Sequence, residues 1–139
     1  MRHLSALMGC TKLTTVKGGV AVTTIEASAF CGDKVLKTFP ALSKLQTIGF
    51  AAFKGCVKLA QFTLGASVKS IGKNAFNGCS ALKKITVKTT KLTTSNVKDN
   101  AFKGIAKKAA FTVPTAKPKA YKTLFVKRGA AKTCTFVSK

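Results

Sequence analysis

The chain has 139 residues, and 25 Lys and Arg against 3 Asp and Glu give a formal net charge of +22. Hydrophobic residues make up 46%, enough for one domain's core and too many for wholesale disorder, while no apolar run reaches the ~18–20 residues of a membrane-crossing helix. Three carboxylates and one histidine leave little with which to build acid–base chemistry, and no enzyme is expected.

Taken in chain order, the sequence repeats itself at a spacing of 23 residues. Ala6, Leu7 and Gly9 open a set of columns that return as Ala29, Phe30 and Gly32, then Ala52, Phe53 and Gly55, then Ala75, Phe76 and Gly78. Leu13 is followed by Leu36, Leu59 and Leu82, and Val16 by Phe39, Phe62 and Ile85. Val22, Leu45 and Val68 form another column, and Ile25, Ile48 and Ile71 another. Such columns mean stacking: one coil cannot bury its own apolar side, but neighbouring coils bury each other's. Within a coil, Leu59–Leu64 and Leu82–Val87 read as short strands. Val22–Ile25, Leu45–Ile48 and Val68–Ile71 read as second, shorter extended pieces. Gly72–Cys79 reads as a tight helical turn closed by Gly78, the Ala column suits a close approach of backbones, and the Phe column fills the widest part of the core. After a three-residue slip in Thr89–Ser95, Val97, Ala101, Phe102 and Gly104 begin a fifth, altered copy. Phe111–Val113 and Thr133–Val137 read as strands that flank a helix over 117–128, bracketed by Pro118 and Gly129 with an apolar stripe of Ala120, Tyr121, Leu124 and Phe125. The expected architecture is a repeat solenoid, mainly β with short helical turns, over residues 1–108 (about four coils and a partial fifth). A C-terminal β-α-β-like cap follows over 109–139.

Ile48-Gly-Phe-Ala-Ala-Phe-Lys-Gly-Cys-Val-Lys-Leu59 and Ile71-Gly-Lys-Asn-Ala-Phe-Asn-Gly-Cys-Ser-Ala-Leu82 resemble the repeat of BspA-type leucine-rich repeat proteins. The resemblance covers about residues 4–105 and is weaker in the first two copies, where Leu7 stands for Phe and Asp33 for Cys. The segment from Ala101 to Gly129 is similar to the C-terminal end of such arrays. The resemblance implies a right-handed leucine-rich repeat superhelix with a parallel sheet on one face. It also implies a bacterial cell-surface or secreted protein, akin in some members to adhesins for host matrix proteins. Arg2 and His3 are followed by no sustained apolar stretch, so no signal peptide is visible. The chain begins inside a repeat, and the expectation is the C-terminal part of a longer protein, or a truncated one. An uncapped first coil would expose Leu4, Leu7 and Leu13, offering end-to-end self-association.

Cys10, Cys56 and Cys79 share a column and read as small core fillers, although coils ~4.7–5 Å apart do not exclude a disulfide. Cys31 falls in a column that looks solvent-facing. Cys134 reads as half-buried in the last strand. There is no C-x-x-C pair to hold zinc, and neither a metal nor a cofactor is expected. Asp33 is expected to accept bonds from loop N–H groups, and Asp99 to cap the turn before Ala101. Glu26 has no catalytic companion.

The basic residues are nearly all lysine and fall on the non-core columns. Lys17, Lys37, Thr38, Gln61, Thr63, Lys83, Lys84 and Thr86 are the candidate ligand-facing residues on the strand face, and further lysines, with Arg128, load the C-terminal cap. A field of this sign attracts polyanions. Lysine lacks the bidentate fork that reads bases, and the phenylalanines are spent in the core, so nucleic acid is the less favoured partner. Two functions follow as expectations. One is a binding or adhesion module presenting a rigid basic surface to a host protein, an anionic glycan or a teichoic polymer. The other is a structural spacer or wall-associated stalk with no specific ligand.

Overall fold

The computed structural model describes residues 3–4 and 21–139. Eight short strands and one helix follow in order: β1 His3–Leu4, β2 Thr24–Ile25, β3 Thr47–Ile48, β4 Gln61–Leu64, β5 Ser70–Ile71, β6 Lys84–Val87, β7 Ala110–Val113, α1 Pro118–Lys127 and β8 Thr135–Ser138. They form two four-stranded sheets, β1-β2-β3-β5 and β4-β6-β7-β8, and every pairing is parallel. The chain therefore runs as a β-solenoid of about five turns. β3 and β4, then β5 and β6, give one turn's strands to the two sheets, while the coil after β6 meets the first sheet only through the bridge of Val97 to Ile71, and the last carries α1 between β7 and β8.

The register carries the repeat. Ile25 pairs with Ile48 and Ile48 with Ile71, Gln61 with Lys84, each at a step of 23. The step becomes 26 from Lys84 to Ala110, where the three-residue slip is absorbed, and 25 from Ala110 to Thr135. At the first coil it is 21, pairing Leu4 with Ile25. The ungapped spacing of 23 read from the sequence does not extend to β1. Pro40 stands 23 residues before Thr63; it has no N–H to give to a ladder, and among the described residues β4 is the first strand of its sheet.

In β4, β6 and β7 alternate residues point inward, so Phe62, Leu64, Ile85, Val87, Phe111 and Val113 enter the core. Phe30, Phe53, Phe76 and Phe102 lie one on another, with ring centroids 5.3, 5.2 and 5.3 Å apart. Phe53 and Phe76 are within 4° of parallel. Each is buried. The pile ends in edge-on contact with Phe125 of α1 at 4.9 Å, and Phe125 in turn stacks on Phe111 at 4.8 Å.

The turn of each coil is a run of bonds between residues three apart, such as Ala75 N–H to Gly72 O and Cys79 N–H to Phe76 O. It is not a helix, because left-handed residues interrupt it. Ser28, Ala51, Asn74 and Asn100 have φ between +53° and +61°, and Gly32, Gly55, Gly78 and Gly104 between +76° and +82°. Backbones come close at the Ala column, where Phe53 N–H donates to Ala75 O and Phe76 N–H to Ala101 O at 2.7 Å, and also at the glycines before it: a Cβ on Gly72 would lie 2.5 Å from Phe50 N, and one on Gly49 2.6 Å from Ala27 N.

Helix α1 begins at Pro118 and buries Tyr121, Leu124 and Phe125. Ala120, expected in the apolar stripe, is exposed, because only one narrow side of the helix meets the last coil. Arg128 locks its C-terminal end. Its Nε donates to Val97 O at 2.6 Å, Nη2 donates to Thr94 O at 2.7 Å, and Nη1 pairs with Asp99 Oδ1 at 3.2 Å. Asp99 therefore anchors the helix end rather than capping the turn before Ala101, as expected from the sequence. Arg128, only 13% exposed, belongs to the fold more than to the surface charge.

Candidate functional site

The outward face of the second sheet is built by the same alternation that fills the core. Gln61, Lys84, Ala110 and Thr135 align in one row across β4, β6, β7 and β8, and Thr63, Thr86, Thr112 and Val137 in the next. Rows two residues apart and strands about 4.8 Å apart make a flat grid. A line of three threonine hydroxyls runs down it, with no side-chain partner among the described residues. Thr38, exposed, stands 23 residues before Gln61.

Of the candidate ligand-facing residues, Gln61, Thr63, Lys84 and Thr86 share this grid. Lys37 and Lys83 are exposed but precede the strands: Lys37 O accepts from Ala60 N–H at 3.2 Å, and Ala60 O from Lys83 N–H at 3.1 Å. They belong to the loops that lead into the sheet. Lys17 lies outside the described residues. Sequence reasoning missed Thr112, whose strand lies beyond the slip, where the spacing changes to 26.

Two shallow hollows border the C-terminal ends of the strands. Thr86, Val87, Lys88, Thr112, Pro114 and Lys139 line one, and Ala41, Leu42, Ser43, Thr63, Gly65, Ala66 and Lys88 the other. Lys88 is common to both and stands between them. A third hollow lies against α1, lined by Lys122, Thr123, Val126, Lys127 and Lys132. All three present ammonium, hydroxyl and apolar groups, with no Asp, Glu or His side chain. Among the described residues no group of three or more His, Cys, Asp or Glu side chains comes together to hold a metal. The arrangement can hold anions and exchange hydrogen bonds with a ligand.

Cys56, Cys79 and Cys134 are core groups. Cys56 Sγ donates to Phe30 O at 3.1 Å and Cys79 Sγ to Phe53 O at 3.0 Å, so each thiol binds the coil before it. A hydrogen bond with Cys56, followed by burial, pushes the Cys79 thiol well above its ordinary value, so it stays protonated and unreactive. Both are free thiols. Cys31 is half-buried, in a column where Lys54 is exposed and Asn77 half-buried, and Cys134 is buried and precedes β8 rather than lying within it. Burial raises the Cys134 thiol as well. Cys10 lies outside the described residues. Asp33 replaces the thiol in the second coil. Its Oδ1 accepts from Val35 N–H at 3.2 Å and Leu36 N–H at 3.1 Å, the loop-holding role expected of it. Its Oδ2 has no partner among the described residues.

No curated protein matches the chain. Among solved structures it is similar to the crystal structure of the pneumococcal vaccine antigen PcpA, at 16% identity and a TM-score of 0.48, over 91% of this chain and 41% of that one. The chain thus spans less than half of that antigen. The family model for the BspA type leucine rich repeat region matches residues 3–130 in six copies. The repeat read from the columns, the stacked coils and this match agree, and the chain belongs to the BspA-type leucine-rich repeat family.

Proposed function

We propose that this chain is a non-enzymatic binding module of a bacterial cell-surface or secreted protein. Its ligand, on this reading, is a host protein or an anionic glycan held on the outward face of the second sheet. The observation that carries the proposal is the flat grid of Gln61, Thr63, Lys84, Thr86 and Thr112. It is exposed or half-exposed, rigidly backed by buried Phe62 and Ile85, and no element among the described residues covers it. A face of this kind costs a ligand little reorganisation, because its backbone is already fixed by the ladder. No described helix is long and apolar enough to cross a membrane, which accords with a module displayed outside one.

The test is an array of purified matrix proteins and anionic glycans, read with the parent chain and with Gln61, Thr63, Lys84 and Thr86 all changed to Ser. Parent binding that falls at least tenfold in the variant supports the grid as the ligand face. Binding untouched by the four substitutions overturns it. A parent that binds nothing on the array leaves the spacer reading as the better account of the molecule.

A further inference from the structure

Beside the sheet face, the loops that feed the strands form a second surface. Five of them follow one another: residues 33–37, 56–60, 79–83, 105–109 and 130–134. They are bonded coil to coil. Lys37 O accepts from Ala60 N–H at 3.2 Å, Ala60 O from Lys83 N–H at 3.1 Å, Lys83 O from Ala110 N–H at 2.8 Å and Ala109 O from Thr135 N–H at 3.0 Å. The Thr133 hydroxyl also donates to Lys107 O. The loops are thus held at the coil spacing, and each brings at least one lysine. Lys34 and Lys37 stand on the first, Lys58 on the second, Lys83 on the third, Lys107 on the fourth and Lys132 on the fifth. All six are exposed, and no described acceptor holds their ammonium groups. Four steps of about 4.8 Å set these loops, and the lysines they carry, along roughly 19 Å.

The three carboxylates of the chain leave this ridge bare. Asp33 is on the first loop but fully buried and turned to backbone N–H groups. Glu26 follows β2, and Asp99 follows Val97, which bridges to Ile71 of β5; both belong to the side of the other sheet. Ammonium groups carried on neighbouring loops repel one another, and that repulsion is relieved by a ligand whose own charges are strung along a line. Lysine provides point charges rather than planar forks, which suits sulfate or phosphate groups on a chain able to adjust its path. A duplex curves away from a straight ridge and meets it with only part of its backbone.

We propose that this loop ridge is the seat of a flexible, linear polyanion bearing sulfate or phosphate groups, lying along the solenoid axis. The seat is separate from the sheet grid and does not depend on what the grid holds. The test uses the whole chain in 0.15 M salt with four probes: dextran sulfate, long-chain polyphosphate, polyglutamate and a short DNA duplex. One variant changes Lys34, Lys58, Lys83, Lys107 and Lys132 to Gln. A second, with the same net charge, changes Lys44, Lys69, Lys73, Lys91 and Lys119 to Gln. All ten are exposed side chains, and melting curves check that both variants fold. Should the first fail to fold, Lys58→Gln with Lys107→Gln replaces it, with a threefold loss expected. The expected result is at least a tenfold loss of dextran sulfate or polyphosphate binding in the first variant, and less than threefold in the second. The salt dependence should also be shallower in the first variant. The tighter of the two polymers identifies the oxyanion. Equal losses in the two variants would reduce the binding to net charge and overturn the seat. So would failure of the parent to bind either polymer, or equal or tighter binding of polyglutamate or the duplex.

Discussion

Ala51 occupies a place the backbone makes hard for it. Its φ of +53° lies in the left-handed region, in a column otherwise filled by Ser28, Asn74 and Asn100. An L-residue there costs about 1–2 kcal/mol, and asparagine bears that conformation better than alanine. Replacing Ala51 by Gly removes the strain, but loses a buried methyl worth about 0.8 kcal/mol and adds about 0.4–1 kcal/mol of chain entropy in the unfolded state. These nearly cancel. At Ala52, fully buried and outside the left-handed region, only the two losses remain. Urea unfolding should therefore show Ala51→Gly within about 0.5 kcal/mol of the parent and Ala52→Gly less stable by about 1.5 kcal/mol. The thiols give a second prediction. Cys79 and Cys134 are both raised above the ordinary value of 9.0 in the folded chain. Below that pH both states keep their protons and stability is unaffected. Above it the unfolded thiols ionise while the folded ones resist, so stability falls as pH rises. Melting temperatures at pH 8 and pH 10 should drop more for the parent than for the Cys79→Ala, Cys134→Ala chain. Lysine neutralisation is common to both and cancels in the comparison.

Helix α1 and the slip before the fifth coil depend on one another. Tyr121, buried in the helix, donates its hydroxyl to Thr89 O at 2.7 Å and accepts Leu92 N–H at 3.2 Å. The Thr89 hydroxyl donates to Val68 O at 2.6 Å, so the inserted residues are pinned from both sides. Burial raises the Tyr121 hydroxyl above its usual value, keeping it protonated as a donor. Tyr121→Phe leaves two buried backbone groups unsatisfied and should cost about 1–3 kcal/mol. Amide exchange should quicken over residues 89–97 while the Phe53–Phe76 stack stays protected; exchange rising evenly along the chain would contradict the local role. The sequence told of the slip as a break in spacing, and of the helix through Pro118 and Gly129. It did not tell which hydroxyl would hold the loop, since Thr89 and Tyr121 are 32 residues apart and no periodicity links them. Asp99 was misread for the same reason: its partner Arg128 lies 29 residues on. The sheet grid was partly legible because strand alternation sets it. The loop ridge was not, because Lys34, Lys58, Lys83, Lys107 and Lys132 follow one another at 24 or 25 residues and never fall in one column.

At the scale of the whole molecule, one apolar pile joins the described coils from Phe30 to Phe125. Phe53 touches Phe30, Phe39, Phe62 and Phe76 at 5.0–5.3 Å between ring centres, so each coil's stability is shared chiefly with its two neighbours. The same stacking that builds this core draws together the lysines on its outside. In the unfolded chain, residues 23–26 apart are separated by long flexible stretches; in the fold they return to within about 5–10 Å. With a net charge of +22 and three carboxylates to offset it, folding concentrates like charge. That cost is electrostatic, so it is screened once the Debye length, about 30 Å at 0.01 M salt, falls toward 3 Å at 1 M. The melting temperature should thus climb steadily between 0.01 and 0.5 M sodium chloride. Salt also strengthens apolar burial to some extent, and the ridge variant with five Lys→Gln changes separates the two effects. It should melt above the parent at low salt, and the gap should close as salt rises, because only the parent has that repulsion left to screen. A gap that is absent at low salt, or that persists unchanged at 0.5 M, would mean that the loop lysines are too well hydrated and too mobile to strain the stack.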